Sequence, residues 1–575
     1  MRSMRTRTSV ALLAVVLAAI LVTGGLAGPV LAASPAAGQT GPDVQTANAT
    51  AGPLLESTTA SSMTASSAIS SSTAAASVQD ARPEDPSTED TIGYVEGYWY
   101  DDELPVDDQS DAVVDEDELD PVVYRSMARV ERIRNLTFDD EVAVDVISRA
   151  EYRETNGDRF ANITSENRLE ANVGYEALFM VDRETEAADA TETVYGGAVG
   201  GYYDPETDEI VIVSENPDNP ELDEVTLGHE LVHALQDQHF NLSRFEGTTQ
   251  DEETAMNGLI EGDASRVERE YEGTCGREWD CLAPADGDRD QPLDINWGIY
   301  FSVYQPYSDG PAYVNYLRQQ GEGWAAVNAA YDDPPRTTSA VIHPGSEREP
   351  ANVSVPDRSS EDWRQLRADG EVANDTVGEA GMVAMFAADA LDQDVPSVIE
   401  TADLFEGTES YNYNHSYTNG WAGDELVVYT NDEADAANDP TEAAGRAGYV
   451  WRTQWQSGTD TQQFVNGYLR LLENHGADAV DGRQDTYVIE DGGYSGAYYL
   501  NRSGATLTIV RAPSVDELSN VEAGAAPEGE DTLEIVDLSE SDTVPGFGPA
   551  AAVSAIAIAL LGTGARLVVG RRDRD

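Results

Sequence analysis

The amino-acid sequence predicts an α+β fold for a central body that spans residues 91–511, and two kinds of pattern carry this prediction. Residues 196–215, GGAVGGYYDPETDEIVIVSE, place apolar runs on both sides of a turn and predict a β-hairpin. Longer segments before and after the hairpin repeat apolar residues at helical spacing. This mixture, in which helices dominate after the hairpin, is typical of the α+β class.

The first predicted elements lead up to the hairpin. VVYRSMARVERIRN, from Val122, has the apolar spacing of a helix, and EVAVDVISRAEYR, residues 141–153, alternates as a strand. Pro205 to Asp208 supply the turn of the hairpin. A helix follows at once, so the predicted order is strand, turn, strand and then a histidine-rich helix.

The remainder of the body predicts further helices and, late in the chain, further strands. Helical spacing recurs in residues 255–273, 311–331, 378–391 and 461–475. The segments ELVVYT, TYVIED, GAYYLN and ATLTIV are short and apolar, as strands are. We therefore expect a helix-rich second half without an internal repeat.

The charge balance restricts the environment and the partners. The chain has 575 residues, of which 107 are acidic and 34 basic, so its formal net charge is -73, and it contains no lysine. A surface this acidic repels nucleic acid, which we exclude as a partner. The acidic residues are spread between apolar segments, which favours a folded protein adapted to molar salt, where charges are screened within roughly 3 Å. In this respect the composition resembles that of haloarchaeal proteins.

Both ends of the sequence carry export or membrane signals. Arginines precede an apolar run from Val10 to about Leu26, and small residues follow, which is the layout of a cleavable signal peptide. At the other end, Pro545-Gly546-Phe547 precede an apolar stretch long enough to span a bilayer and a final arginine cluster. This end resembles the Pro-Gly-Phe sorting tails of haloarchaeal surface proteins, which implies that a sorting enzyme removes the tail and that a lipid replaces it.

These signals place the body on the outer face of the cell, held by the inserted tail or by a lipid. Residues rich in Ala, Ser and Thr predict a disordered stalk before the body, and an acidic stretch predicts a linker after it. N-x-S/T triplets fit a glycosylated, exported protein. The expected parts are a signal peptide at 1–33, the stalk at 34–90, the body at 91–511, the linker at 512–544 and the tail at 545–575.

The two cysteines, Cys275 and Cys281, lie six residues apart. In an exported protein this spacing predicts one small disulfide loop. A cysteine-rich zinc site would need more ligands than these.

TLGHELVHALQDQHFNL, residues 226–242, contains three of the six histidines and predicts a metal site. His229 and His233 are four residues apart, so on a helix both rings project from one face and can bind a single Zn²⁺. Glu230 follows the first ligand, where it can take a proton from a zinc-bound water. The HExxH pattern also occurs by chance, but the apolar neighbours here would bury the histidine pair, and a buried pair beside a glutamate needs a partner.

Two residues compete for the position of the third ligand. His239 lies ten residues after His229, as in the metzincin pattern, but Gln236 occupies the place where that pattern needs a glycine to break the helix. If the helix continues, His239 lies about 280° around the axis from His229 and points away from the metal. Glu261 sits in an apolar stretch where an unpaired charge would be costly, and Gly262 beside it permits close approach of a helix. We expect Glu261 to be the ligand, and His239 is the alternative.

Several blocks of the sequence, in this order, resemble those of secreted or surface zinc metallopeptidase-like proteins of the gluzincin type. The blocks are HELVHALQDQHFNL, LIEGDAS, DPPRTTSAVIHPGSE, GWAGDELVVY and WRTQWQSGTDTQQF, and the resemblance extends from about residue 91 to residue 511. It implies a zincin-like body that binds Zn²⁺ through His229, His233 and Glu261, with Glu230 as the base. Thermolysin-like gluzincins have an aspartate four residues after the third ligand to orient a zinc-bound histidine, whereas this chain has Ser265.

The resemblance and the motif together predict a cell-surface zinc metallopeptidase that hydrolyses peptide bonds. Oxyanion stabilisation needs a further donor, for which His343 in the loop VIHPG is the candidate, although a loop histidine without function explains it equally well. The strand before the zinc helix can bind an extended peptide by edge pairing. The alternative function is a surface structural or binding protein that keeps the fold, and with it the metal, without turnover.

Overall fold

The computed structural model describes residues 82–538, apart from residues 110, 162, 197–198, 285–294, 347, 349, 393–394, 406–409, 436 and 438. The chain divides into two units, one of which is Leu26–Pro86, and only residues 82–86 of that unit are described. The predicted signal peptide, most of the stalk and the tail lie outside the described residues. The larger unit combines helices and strands, which confirms the α+β class. No helix within the described part of the chain has both the length and the hydrophobicity needed to cross a membrane.

Fifteen α-helices occur among the described residues. Those before the hairpin are α1 (Glu116–Arg134), α2 (Arg149–Ala161), α3 (Ser165–Ala177) and α4 (Ala187–Gly196). Those in the middle of the chain are α5 (Glu224–Phe240), α6 (Gln250–Thr274), α7 (Trp297–Gln320), α8 (Trp324–Ala330) and α9 (Thr338–Ile342). The later ones are α10 (Gly378–Ala387), α11 (Thr401–Leu404), α12 (Asp432–Asp435), α13 (Pro440–Arg446), α14 (Gly458–Asn474) and α15 (Val515–Val521).

The strands form one large sheet and three smaller ones. A three-stranded sheet contains β3 (Ala143–Ser148), β4 (Gly201–Asp204) and β5 (Glu209–Ser214). Two pairs are β1 (Tyr94–Val95) with β2 (Tyr98–Trp99), and β7 (Arg367–Ala368) with β8 (Glu371–Val372). The eight-stranded sheet contains β6 (Trp363–Gln365), β9 (Asn374–Asp375), β10 (Trp421–Asn431), β11 (Gly448–Trp455), β12 (Asp478–Ala479), β13 (Thr486–Ile489), β14 (Gly496–Ser503) and β15 (Thr506–Ala512).

The predicted hairpin is confirmed as β4 and β5, which pair antiparallel with Tyr202 opposite Val211. The strand order is β3, β5, β4, so the strand directly before the histidine-rich helix α5, which is β5, lies at the centre of its sheet. The free edge that was predicted for that strand belongs instead to β4. The strand predicted for residues 141–153 is shorter than expected, because Ser148 ends it. The Ser148 hydroxyl accepts a hydrogen bond from the main-chain N–H of Glu151 at 3.1 Å and so caps the start of α2.

The described residues of the second half contain more helix than strand, as predicted, and they also contain the large sheet. All four predicted strand segments are found, but they belong to the antiparallel eight-stranded sheet, in which β11 pairs with both β10 and β15. We did not predict β11 from the sequence. Its burial on both faces, with Tyr449, Val450 and Trp451 all inaccessible, removes the alternation by which a half-exposed strand is recognised.

The expected acidic linker at 512–544 begins too early. Residues 515–521 form α15, whose Leu518 and Val521 are fully buried. Farther on, the side chain of Asn466 in α14 makes hydrogen bonds to both the carbonyl and the N–H of Val536, at 2.7 and 3.0 Å. Hydrogen bonds to the body therefore continue as far as Val536. The acidic composition concealed this, since the short helix fully buries only two apolar residues, which are three positions apart.

Helix α5 begins at a buried carboxylate that joins several elements. Glu224 is fully inaccessible and accepts a hydrogen bond from the Tyr271 hydroxyl of α6 at 2.8 Å. Arg125 and Arg129 of α1 form ion pairs with it, and the main-chain N–H of Leu282 donates to it at 3.0 Å. Because a buried charge that loses its partners is strongly destabilising, this network fixes the start of α5 relative to α1 and α6.

The predicted disulfide between Cys275 and Cys281 is present, with a Cα–Cα distance of 5.5 Å. It closes a loop directly after the end of α6. The Leu282 N–H that bonds Glu224 follows the second cysteine, so the disulfide loop also contributes to the support of α5.

Helices α6 and α7 cross with their backbones in contact. A Cβ atom at Gly262 would lie 2.4 Å from backbone atoms of Gly310, and one at Gly310 would lie 2.5 Å from the carbonyl oxygen of Gly258. No side chain fits at such distances. The prediction that Gly262 permits close approach of a helix is therefore confirmed.

This crossing predicts that Gly262→Ala lowers the free energy of unfolding by about 1–3 kcal/mol or more, because the helices must separate to admit the methyl group. Gly273→Ala is the matched control, since a Cβ at this position of the same helix meets no atom within 4 Å. That variant should be neutral, or more stable by up to about 1 kcal/mol. Urea unfolding of both variants in high salt measures the difference. Equal stability would show that the crossing tolerates a side chain.

Candidate metal centre

Helix α5 brings the two histidines of the HExxH motif together. Asp223 caps its start by accepting hydrogen bonds from the N–H groups of the first turn, and the helix continues without a break to Phe240. The rings of His229 and His233 lie on one buried face with their centroids 4.9 Å apart. The helix therefore runs on past Gln236, where a metzincin-type helix would end.

Glu261 of α6 faces both histidines. Its Oε2 atom lies 3.3 Å from Nε2 of His229 and 3.4 Å from Nε2 of His233. Each of the three side chains is at most 1–2% exposed. Among the described residues they form a group that could hold a metal ion, with ligand atoms within 4.8 Å of one another. We call these three residues the triad.

A carboxylate orients the first histidine. Glu268 Oε2 lies 2.9 Å from Nδ1 of His229, so the ring turns its Nε2 toward Glu261. Glu268 is seven residues after Glu261, which is two turns along the same face of α6. It occupies the role for which the resemblance expected an aspartate at Ser265. The seven-residue spacing was visible in the sequence and could have identified Glu268.

A neutral amide orients the second histidine. Gln236 Oε1 lies 2.9 Å from Nδ1 of His233, and its Nε2 donates to the carbonyl oxygen of Ile260 at 2.9 Å. Gln236 therefore links α5 to the turn of α6 that carries Glu261. The residue that breaks the metzincin pattern thus has a positive role in holding His233.

The electrostatics of the triad suit a cation. Burial would lower the pKa of His229, but its contacts with Glu261 and Glu268 outweigh burial and raise that pKa well above its usual value. Burial would raise the pKa of Glu261, but the two histidines lower it to about 2. The Nε2 atom of His233 is buried without a hydrogen-bond partner among the described residues. This unpartnered nitrogen, beside a carboxylate that stays ionised, fits the donor set of a metal site.

Glu230 lies between the triad and the edge strand. Its Oε2 accepts a hydrogen bond from the main-chain N–H of Tyr203 in β4 at 3.0 Å. Its Oε1 is buried and has no hydrogen-bond partner within the described part of the chain. Burial raises the pKa of Glu230 above its usual value. One oxygen is therefore fixed, and the other is free to accept a proton.

Tyr307 of α7 is a neighbour of the site that we did not predict from the sequence. It is buried, and Glu261 is the charged group that most affects its phenol. Burial, together with the charges of Glu261 and Glu230, raises its pKa well above the usual value, so the phenol stays protonated. In the sequence, a tyrosine that lies near a site cannot be told from a tyrosine that only packs in the core of an apolar helix.

The two remaining candidate histidines lie elsewhere. His239 Nε2 is 2.7 Å from the carbonyl oxygen of Thr137, so its ring faces the segment after α1. His343 follows α9, and its Nε2 is 2.9 Å from Glu379 of α10, which is fully buried. Neither belongs to the triad, the group that could hold a metal ion. The proposed oxyanion role of His343 thus gains no support from its contacts.

Comparisons with known proteins concern a different part of the chain. A family model described as a domain of unknown function, DUF8575, matches residues 364–522. The matched region contains most of the eight-stranded sheet but neither α5 nor α6, which carry the triad. No curated protein and no solved structure matches the chain.

The triad predicts opposite results for the two candidate third ligands. Glu261→Ala should abolish tight metal binding, because two protein donors are too few to hold the ion. His239→Ala should keep most of it, since its ring contacts Thr137. Equilibrium dialysis against zinc in molar KCl compares the two variants. Retention by Glu261→Ala with loss by His239→Ala would reassign the third ligand.

The orienting contact of Glu268 predicts a smaller effect. Glu268→Ala should weaken metal binding by about 10 to 100-fold, the usual cost of losing a group that orients a ligand. Glu270→Ala is the matched control on the same helix, because Glu270 is 44% exposed and pairs with Arg266 at the surface. Competition titration with a zinc chelator gives both affinities, and equal affinities would exclude an orienting role for Glu268.

Proposed function

We propose that this protein is a zinc-dependent peptidase with a zincin-like body, in which His229, His233 and Glu261 hold the ion and Glu230 is the general base. The convergence of two imidazole nitrogens on one buried carboxylate oxygen, with Glu230 beside them, carries the proposal. A β-hairpin with one antiparallel edge strand, then a histidine-bearing helix and a glutamate-bearing helix, supports the zincin-like arrangement.

The donor set suits zinc at a catalytic site. Two imidazoles and one carboxylate leave a fourth position open, as catalytic zinc sites do. When bound, the ion would act as a Lewis acid toward a water molecule and a substrate carbonyl. The same donors also suit Fe²⁺ in oxygenases. The presence of a buried base next to the ligands favours hydrolysis over oxidation.

Glu230 supplies the proton transfers that peptide hydrolysis needs. Its free Oε1 takes a proton from the attacking water as the water oxygen bonds to the peptide carbon. The same oxygen then gives that proton to the departing amine nitrogen as the peptide bond breaks. The Tyr203 N–H holds the other oxygen in place. The raised pKa of Glu230 makes the carboxylate a stronger base than an exposed glutamate.

The surroundings favour an extended peptide as the substrate. β4 is hydrogen-bonded to β5 on one side only, so a peptide can pair with its outer edge. Tyr307 stays protonated and lies beside Glu261, where its hydroxyl can donate to the developing oxyanion. We therefore assign to Tyr307 the role for which the sequence suggested His343.

We also propose that the protein works outside the cell. The disulfide between Cys275 and Cys281 supports an oxidising compartment. The sequence signals at both ends support export and attachment to the cell surface. The attachment would be made by the inserted tail or by a lipid that a sorting enzyme adds. The alternative is a surface binding protein that retains the metal without turnover.

Glu230→Gln separates the two functions. The variant should bind zinc with near-normal affinity, because Glu230 is not a ligand, but it should hydrolyse peptides about 100 to 10,000-fold more slowly because its amide cannot accept the proton. Zinc content and cleavage of casein and peptide libraries in molar KCl provide the two measurements. Normal zinc binding with no Glu230-dependent cleavage of any peptide would support the binding protein instead.

A further inference from the structure

Asparagine triplets of the N-x-S/T type are a chemical signal that the proposed peptidase does not use. In an exported chain such a triplet can accept a saccharide on its asparagine. Six of them lie among the described residues, and their asparagines are Asn135, Asn241, Asn352, Asn374, Asn414 and Asn501. All six side chains are exposed, so exposure does not select among them. Two of the triplets differ clearly in their polar contacts.

The triplet at Asn374 is engaged in contacts within the fold. Asn374 pairs with Val427 as part of β9, and its Nδ2 atom donates a hydrogen bond to Glu425 at 3.0 Å. The hydroxyl of Thr376, the third residue of the triplet, donates to the carbonyl oxygen of Asp424 at 3.1 Å. The two groups that define this triplet therefore both have partners in the folded protein.

The triplet at Asn414 is free of such contacts. It lies outside helices and strands, and both Asn414 and Ser416 are exposed. The Asn414 Oδ1 atom accepts a long hydrogen bond from Asn419 at 3.5 Å. Within the described part of the chain, neither the Asn414 Nδ2 atom nor the Ser416 hydroxyl donates a hydrogen bond. The nitrogen that would receive a saccharide is therefore available.

A cavity of about 470 Å³ opens beside this triplet. Its lining includes Ser416, residues of α14 and residues 535–538, whereas no residue of the other five described triplets lines it. The volume falls within the range of roughly 300–1,000 Å³ that is usual for small-molecule sites. Two residues of chain span at most about 7 Å, so a saccharide on Asn414 starts within reach of this cavity.

The walls of the cavity suit a saccharide. Gln463 and Arg470 of α14 line it, and their amide and guanidinium groups are hydrogen-bonding partners for sugar hydroxyls. Tyr417, whose hydroxyl Arg470 contacts, adds an aromatic side chain to the lining. Ile535 and Val536, at the same cavity, are 42% and 37% exposed. A saccharide presents both hydroxyls and C–H groups, so it matches this mixture of polar and apolar surface.

We propose that Asn414 carries an N-linked saccharide whose first sugars occupy this cavity and cover Ile535 and Val536. The donor is a saccharide bound to a lipid phosphate. The Asn414 Nδ2 atom bonds to C1 of the sugar and loses a proton, while the bond between C1 and the phosphate oxygen breaks and the lipid phosphate leaves with its electron pair. The inference rests on the proposed location outside the cell and is independent of the metal site.

Mass spectrometry of the full chain, recovered from the surface of the cells that naturally produce it, tests the modification. Chymotrypsin is the suitable protease, because no arginine or lysine separates Asn374 from Asn414. We expect a saccharide on the peptide that contains Asn414 and an unmodified Asn374. An unmodified Asn414 overturns the proposal. Modification of both residues overturns the claim that contacts within the fold select the site.

Ser416→Ala tests whether the saccharide occupies the cavity. It removes the hydroxyl that the triplet requires and leaves Asn414 in place. The variant should lose the saccharide, and residues 535–538 should lose protection against a protease that cleaves at apolar residues. Ser243→Ala is the matched control, because it deletes the triplet of Asn241, which does not line the cavity. Equal cleavage of wild type and Ser416→Ala, or equal acceleration by both variants, excludes the saccharide from the cavity.

The site of recovery separates this inference from the proposed location. Protein that is found on the surface with a bare Asn414 overturns the modification alone. Protein that is found only inside the cell overturns the proposed location, and the modification fails with it. Neither measurement depends on zinc binding or on peptide cleavage, so loss of either activity leaves the test unchanged.

Discussion

The approach of Glu261 to His229 and His233 is the contact on which the rest of the site depends. A buried carboxylate is stable there because two imidazoles face it, and their orientation in turn depends on Glu268 and Gln236. The support is asymmetric: a charged group orients one ring, and a neutral amide tied to the main chain of α6 orients the other. Both supports join α5 to α6. The geometry of the site therefore depends on the relative position of α5 and α6, which the surrounding structure holds.

Buried polar groups maintain that position as much as apolar packing does. Although acidic residues greatly outnumber arginines in this chain, several arginines lie inside it. Arg125 and Arg129 surround Glu224 at the start of α5, and Arg134 makes a two-pronged contact with Asp263, two residues after the third ligand. Helix α1 thus forms buried ion pairs with both α5 and α6, the helices that carry the triad. Arginine suits such pairs because its planar guanidinium matches a carboxylate with two hydrogen bonds.

The sequence predicted those parts of the structure that depend on local spacing. The hairpin, the continuation of α5 past Gln236 and the disulfide each follow from residues a few positions apart. It failed where the determining contact is distant in the chain or masked by composition. β11 becomes a strand through partners far away, and α15 is hidden in an acidic stretch. At the site, Tyr307 lies near Glu261 because α7 crosses α6. The spacing of apolar residues along the sequence does not show which helices cross.

The glycine crossing of α6 and α7 also determines how the site responds to ionic strength. In dilute buffer the screening length grows, and repulsion among surface carboxylates pushes segments of the protein apart. Side-chain packing yields gradually to such stress, whereas main chains in direct contact at Gly262 and Gly310 have no soft layer between them. The residue next to this contact is Glu261. The carboxylate that faces both histidines therefore sits beside a rigid main-chain contact, and desalting should disorder the periphery before it disturbs the centre.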